Sequence, residues 1–408
     1  MKVWIINHNA IPPQYGALVR HYYFGKLLCE KGDEVTIFTS ARIHNSNINM
    51  CKDGSRYFEE IIDGIKYIYL KNVKYTGNGL DRILNMLEFA WKVGKIDKTF
   101  GKPDLIYASS PDIFAAISAQ KMAKRLHIPF VLEIRDLWPE SIVEVKKIPQ
   151  TNPCIRLLYK MEKHLYMEAE KIIFTMPGGK NYICDKGWDK SVDLSKIFYI
   201  NNGVDLEEFN RNLTLNRLDD PDLLSGKLKI IYCGSIRRAN AVEQIIEAAK
   251  VIKRRQLDHI IFIMFGEGNE KRELEEIAKR EELPIIFKGR VDRKYIPYIL
   301  SCANLNLLNY INVDLLKKYG SSSNKLFEYI TCGNPIVSNR TLMNDIITEN
   351  GLGIAKDFSS AEEYADEMLK YLNLSEEERK LLREKSEKVI KEYDYARLSE
   401  KIYEVLHG

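Results

Sequence analysis

The sequence predicts an α/β protein of two Rossmann-like domains facing each other across a cleft. Three observations carry this. Strand-length apolar runs alternate with helix-period segments from the N-terminus onward, the pattern of a mostly parallel sheet covered on both faces. The alternation gives way over 205–227 to a polar, irregular stretch (Asn210, Asn212, Asn216, Asp219, Asp220, Pro221, Gly226), which reads as a linker or domain-opening loop, and then restarts. The length, 408 residues, is enough for two or three cores at roughly 150 residues per domain.

In the first half, strands are expected at 2–7, 34–39, 104–108, 130–134, 171–175 and 196–200, with helices at 17–30, 81–98, 113–126 and 155–170 between them. Asp63-Gly64 joins two short runs, 57–62 and 65–70, as a hairpin. The opening MKVWIINHN is too short an apolar stretch for a signal peptide and reads as the first strand. In the second half the strands are 228–233, 260–265, 285–288, 305–308 and 335–338, and the helices 241–254, 270–280, 295–301, 324–331 and 361–372. Two charged helices, 375–391 and 395–406, close the chain, each with one apolar face.

Lys plus Arg number 61 against 57 Asp plus Glu, a net charge of +4. That surplus is too small for a dedicated nucleic-acid binder. Apolar residues at 45% and charged residues at 29% exclude disorder as the main state. The seven cysteines show no C-x-x-C spacing, so they read as buried free thiols of a reducing cytoplasm, not a zinc or redox motif. No run of about 18 apolar residues exists to span a membrane.

Open parallel sheets bind ligands beyond the C-terminal ends of their strands, so chemistry is sought in the loops there. The first loop runs His8 to Gly16. Gly16 before a helix allows an anion close to free N–H groups, and Arg20 and His21 could face the cleft from the first helical turns. A second, Glu133 to Glu140, places four charges and Trp138 after an apolar strand. Arg135 and Asp136 can form an ion pair, or Asp136 can accept a hydroxyl proton or hydrogen-bond a sugar. The third, Gly234-Ser235-Ile236-Arg237-Arg238, has the residue types of a diphosphate site. A fourth, Gly266-Glu267-Gly268, fails the G-x-G-x-x-G dinucleotide pattern because position 271 is Lys271, although Gly266 can still line a nucleotide pocket. In the fifth, small polar residues including Ser322 precede a helix opening Asn324-Lys325-Leu326. A helix N-terminus with a lysine attracts phosphate, and Glu328, one turn on, can bind ribose hydroxyls or merely pair with Lys325.

These pieces in this order resemble the GT-B glycosyltransferases of family 4. The resemblance runs over nearly the whole chain and is carried by YGALVRHYYFGKLLCEKGDEVTIFTS, NNGVDLEEF, YCGSIRRANAVEQIIEA, FGEGNEKRELEEIAK, KGRV (with Arg290) and, most strongly, NKLFEYITCGNPIV. The family commonly has an E-x7-E motif. Glu328 matches its second glutamate, but Gly320 stands where the first belongs. A subset similar to bacterial N-acetylfucosamine transferases of O-antigen and capsule synthesis has G-x-S-x-N-K-L here, and also R-D-L-W-P-E, present at 135–140.

The resemblance implies an acceptor-binding domain over 1–204, joined by a crossing-back C-terminal helix at 392–408, and a nucleotide-sugar-binding domain over 205–391. It implies a retaining transferase that needs no metal and no cofactor beyond its donor, a UDP-linked N-acetylated hexosamine or deoxyhexosamine. Arg237, Arg238 and Lys325 would stabilise the departing diphosphate, Asp136 would orient the acceptor or take its proton, and Gly16, Gly234, Ser235, Gly266, Arg290, Ser322, Asn324, Leu326 and Glu328 would line the donor site. The acceptor would be a lipid-linked sugar or oligosaccharide of bacterial surface polysaccharide synthesis, the location cytoplasmic or at the inner face of the plasma membrane. The basic, apolar-interleaved segments 91–98 and 146–163 would rest on an anionic membrane, or are ordinary solvated helices. Two other readings share the architecture: a UDP-N-acetylglucosamine 2-epimerase-like enzyme, and a non-catalytic GT-B subunit of a transferase complex, which the missing first glutamate motivates.

Overall fold

The computed structural model describes every residue except 17, 44, 45, 47, 52, 53, 76 and 78. Two compact units form, one from Met1–Asn201 with Tyr395–Gly408, the other from Asn202–Asp394.

In the first unit, strands β1 (Lys2–Ile6), β2 (Glu34–Ser40), β3 (Tyr57–Ile62), β4 (Ile65–Leu70), β5 (Leu105–Ser109), β6 (Phe130–Ile134), β7 (Lys171–Phe174) and β8 (Ile197–Tyr199) make one sheet in the order β3-β4-β2-β1-β5-β6-β7-β8. All neighbours are parallel except β3 and β4. Continuous β-branched and aromatic runs such as Val3-Trp4-Ile5-Ile6 suit a sheet buried on both faces. The β3–β4 hairpin turns on Asp63 and Gly64, both in the left-handed region (φ 48 and 81°), as a tight two-residue hairpin requires. The last helix, Tyr395–His407, belongs to this unit: Tyr395 stacks on Tyr23 with ring centroids 4.4 Å apart, and Leu398 and Ile402 join its core.

The second unit holds β9 (Leu228–Cys233), β10 (Ile260–Phe265), β11 (Ile285–Gly289), β12 (Leu305–Leu308), β13 (Ile336–Ser338) and β14 (Gly353–Ala355) in the all-parallel order β11-β10-β9-β12-β13-β14. Numbered within the unit this is 3-2-1-4-5-6, the doubly wound dinucleotide-fold order, with its switch point between β9 and β12. In the first unit the equivalent reversal lies between β1 and β5.

Several expectations are corrected. The stretch 205–227 is not an irregular linker. Asp205 caps a helix, Leu206–Leu215, by accepting from Glu208 N at 2.8 Å, and Asp220 caps the turn Pro221–Leu224. The polar residues there hide a buried Phe209. The helix expected from residue 17 is described from Arg20 to Glu30, and Ala17 itself lies outside the described residues. The helix expected over 81–98 ends at Val93, where Gly94 caps it, and resumes as Asp97–Phe100. All seven cysteines are free, but only Cys51 and Cys233 are buried: Cys29, Cys302 and Cys332 are half-buried, and Cys154 and Cys184 are exposed.

Candidate functional site

Beyond β9 the backbone runs through Gly234, Ser235 and Arg237 into a single 3-10 turn, Arg238–Asn240. This loop does not lie free. Gly234 N donates to Phe265 O (2.9 Å), Ile236 N to Glu267 O (3.0 Å) and Gly266 N to Gly289 O (2.8 Å), so the loops after β9, β10 and β11 extend the sheet past its strands. A Cβ on Gly266 would stand 1.7 Å from Gly234 O, and one on Gly268 would stand 1.8 Å from Ile236 O. The two glycines therefore serve close backbone approach between loops. Gly266 holds the Gly234 loop in place.

Lys325 reaches this loop from the helix Asn324–Cys332. Its Nζ donates to Tyr232 Oη (3.2 Å) and Asn240 Oδ1 (3.0 Å) and lies 4.8 Å from the Tyr232 ring centroid. Asn240 in turn clamps Ser235, donating from Nδ2 to its carbonyl oxygen and its Oγ at 2.8 Å each. Both partners of the ammonium are neutral. Enclosure by protein pushes it down to about 8, against the opposing pull of Cys233 and Glu328.

Ser323 occupies the N-cap of the helix without a side-chain cap bond, so the helix start is open to an anion. The preceding turn has Gly320 at φ 81° and is tied down by Ser321 Oγ donating to Tyr310 Oη (3.3 Å) and Asn202 Nδ2 donating to Ser322 O (2.5 Å). Glu328 does not pair with Lys325. Among the described residues it makes no hydrogen bond or ion pair, and burial pushes its carboxyl up against the opposing charge of Arg293. A cation with only neutral partners and a carboxylate with none lie one helical turn apart.

The remaining donor-site candidates separate. Arg238 and Arg290 are exposed in the loops after β9 and β11, and Arg237 is half-buried beside Arg238. Asn324 opens the helix. Leu326 follows in the same first turn, with its side chain buried in the core and its N–H turned back to Ser323 O at 3.3 Å. Gly16 lies in the other unit and ends a 3-10 turn, its N–H bonded to Pro13 O. It does not abut the helix, whose N-cap is Val19.

In the first unit Arg20 and His21 do not face outward. Both are buried against Glu133, with Arg20 Nε 2.8 Å and His21 Nε2 3.3 Å from its carboxylate. Tyr107 and Ser109 also donate to Glu133, and Arg20 Nη2 donates to Ile200 O at 2.7 Å. Burial alone would push the Glu133 carboxyl up, but Arg20 and His21 hold it well below its usual range. Of the two alternatives for Arg135 and Asp136, the ion pair does not form. Arg135 Nε stands 4.0 Å from Glu133, while exposed Asp136 accepts from Ser141 Oγ at 3.1 Å.

Sequence reasoning missed the pair at the β1/β5 switch point. His8 Nδ1 lies 2.6 Å from Asp112 Oδ2, and Asp112 Oδ1 caps the helix Ile113–Leu126 through Phe114 N and Ala115 N. Ser110-Pro111-Asp112 before an apolar helix was the available signal, since it marks an N-cap. Tyr232 and Asn240 carried no signal, because their role depends on Lys325 reaching across to β9. Among the described residues no group of three metal-ligating side chains forms, and no helix is long and apolar enough to cross a membrane.

Residues 16–208 match the model of Glycosyltransferase Family 4, and residues 218–407 match that of Glycosyl transferases group 1. No curated protein matches the chain. Among solved structures, the sucrose-phosphate synthase of Thermosynechococcus elongatus superposes with a TM-score of 0.74 at 15% identity, covering 100% of this chain and 98% of that one. HepE of Anabaena, in complex with UDP and glucose, gives 0.67 at 15% over 100% and 99%. WaaG, a glycosyltransferase involved in lipopolysaccharide biosynthesis, gives 0.68 at 14% over 100% of both chains. At such identities the likeness is one of fold.

Proposed function

Because the chain is a GT-B glycosyltransferase, a family 4 domain followed by a group 1 domain, we propose that its second unit binds a UDP-sugar and its first unit binds the acceptor. The observation that carries this is Lys325. Its ammonium is held over the loop after β9 by Tyr232 and Asn240, neither of them anionic, beside an uncapped helix start. Such a cation lacks a counter-charge that a diphosphate would supply. Glu328, with no protein partner, suits the two ribose hydroxyls. HepE, of the same fold, is described with UDP, which supports that nucleotide here.

The reaction in this reading is retaining transfer. The bond from the anomeric carbon to the diphosphate oxygen breaks, and a bond to the acceptor oxygen forms on the same face of the sugar. The acceptor proton passes to the departing phosphate. Lys325, Arg237 and Arg238 stabilise the charge that develops on the leaving group. Asp136, exposed after β6, orients the acceptor hydroxyl. The donor sugar is an N-acetylated hexosamine or deoxyhexosamine, and the acceptor a lipid-linked sugar or glycan of the cell surface, met on the cytoplasmic side. No metal or further cofactor takes part.

Thermal shift with UDP, GDP, ADP and CMP tests the donor site. UDP at about 100 times its Kd adds roughly 2.7 kcal/mol to native stability, and Lys325→Ala removes most of that gain. Stabilisation by another nucleotide alone, or an unchanged UDP shift in Lys325→Ala, refutes the assignment. Altered sugar formed from the UDP-sugar without acceptor would point to epimerase chemistry instead.

A further inference from the structure

The loop after β12, Asn309-Tyr310-Ile311, holds none of the expected site residues, yet it is bonded to the loop after β9 that does. Asn309 is fully buried. Its Nδ2 donates to Ala241 O at 3.2 Å, and its Oδ1 accepts from Tyr364 Oη at 2.6 Å. Ile311 N donates to Ala239 O at 3.0 Å. Between them Tyr310 is fixed from the end of β13, its N–H donating to Asn339 Oδ1 (2.8 Å) and its carbonyl accepting from Asn339 Nδ2 (3.0 Å). Asn339 and Tyr364, on the helix Ala361–Leu372, are buried too. A buried polar network with its partners in place favours one geometry, since another would leave an amide unpaired.

That geometry is a strained one. Ala241 stands at φ 41°, in the left-handed region, which a residue with a Cβ enters only at a cost. Its N–H closes the 3-10 turn on Arg238 O (3.1 Å), and its carbonyl is shared between Gln244 N (3.2 Å) and Asn309 Nδ2. The bond from Asn309 comes from outside this segment and secures the carbonyl in the left-handed orientation. The consequence falls on the residue before. The chain reverses at Ala241 and turns Asn240 back over its own loop, where Nδ2 meets Ser235 and Oδ1 meets Lys325 Nζ.

We propose that Asn309, oriented by Tyr364, is a positioning residue for the donor site: it holds Ala241 left-handed, and Ala241 in turn sets Asn240 against Lys325. It acts through these residues and not on the ligand itself. The effect on UDP rests on the donor-site reading of Lys325, whereas the hold on Ala241 belongs to the free chain.

UDP titration of the full chain and its variants tests this. Asn309→Ala raises the UDP Kd about tenfold, the scale of one buried hydrogen bond left unmade. Adding Ala241→Gly restores the Kd to within about threefold of the parent, because glycine is left-handed without help. In an Asn240→Ala background, Asn309→Ala adds less than about twofold, since the link it acts through is already gone. A merely structural loss would be unmoved by Ala241→Gly and would add in full to Asn240→Ala, and either result overturns the proposal. Should Asn309→Ala fail to fold, Tyr364→Phe removes only the hydroxyl that orients the amide and carries the same comparisons, with a loss of about threefold. Hydrogen exchange needs no ligand. Amides over 236–242 exchange faster in free Asn309→Ala than in the parent while those over 228–233 do not, and equal rates over 236–242 overturn the proposal. A parent chain that UDP fails to stabilise counts against the donor-site reading alone, and exchange then decides the role of Asn309.

Discussion

Gly234 and Lys325 occupy one space: a Cβ on Gly234 would lie 2.7 Å from Lys325 Cδ and 3.0 Å from its Nζ. The glycine after β9 is what lets the lysine cross from its helix to Tyr232 and Asn240. Gly234→Ala should therefore displace Lys325, whose stem is flexible, and leave the fold standing. UDP affinity falls about tenfold, or roughly 1.4 kcal/mol, while the melting temperature stays near that of the parent. Gly266→Ala makes the contrast, because its Cβ would meet the rigid carbonyl of Gly234 at 1.7 Å and the whole loop must move. It should lower the melting temperature as well as the affinity. UDP titration and thermal melts of both variants check the pair, and undiminished UDP binding by Gly234→Ala would remove the link between the glycine and the lysine.

The state of that lysine makes donor binding pH-dependent. The free ammonium loses its proton near pH 8, and a bound diphosphate favours the charged form, so binding takes up a proton above that pH. Below pH 8 the UDP Kd is flat. Above it the Kd rises by up to about tenfold per pH unit until the raised pKa of the complex is reached. Lys325→Arg, which stays charged throughout, binds UDP with no such rise. Isothermal titration between pH 7 and 10 reads this directly, and parallel profiles for parent and variant would show that another group sets the dependence.

The sequence makes the strands legible because their cue is local. The apolar runs at β4, β6, β9, β10 and β12 are bounded by turn residues and needed no tertiary knowledge. Errors came where one face of an element hid the other. Asn210, Asn212 and Asn216 made 205–227 look like a linker, while Asp205 and Glu208 were opening a helix. Site residues follow the same division. Lys325, Glu328 and Gly234 were singled out from glycine and charge at strand ends and helix starts, and the structure brings Lys325 against the Gly234 loop. Arg20 and His21 were misplaced because burial depends on Glu133, more than 100 positions away, and a charge in the first turn of a helix looks the same from sequence whether it faces water or a buried carboxylate. Gly266 was read for ligand contact, though its constraint is the neighbouring backbone.

Glu162 provides a test of fold energetics away from the donor site. Its side chain is buried in the helix Pro153–Glu168, accepting from Tyr166 Oη (2.7 Å) and Tyr182 Oη (2.9 Å), and burial raises its pKa to about 8, against the lowering pull of those bonds and of Lys186. The folded pKa lies above the unfolded one, so the folded chain binds more protons between about pH 4.5 and 8. Stability is then full below pH 4.5 and falls as pH rises through this window, by about 1 kcal/mol per pH unit from this group. Glu162→Gln keeps the shape and the two tyrosine contacts without a titrating proton. Its melting temperature should match the parent near pH 5 and exceed it by a widening margin toward pH 8. The readout is the difference in slope between the two melting curves against pH, which survives a uniform loss of stability in the variant. Parallel slopes would mean that Glu162 is ionised in the native protein, with Lys186 as its counter-charge.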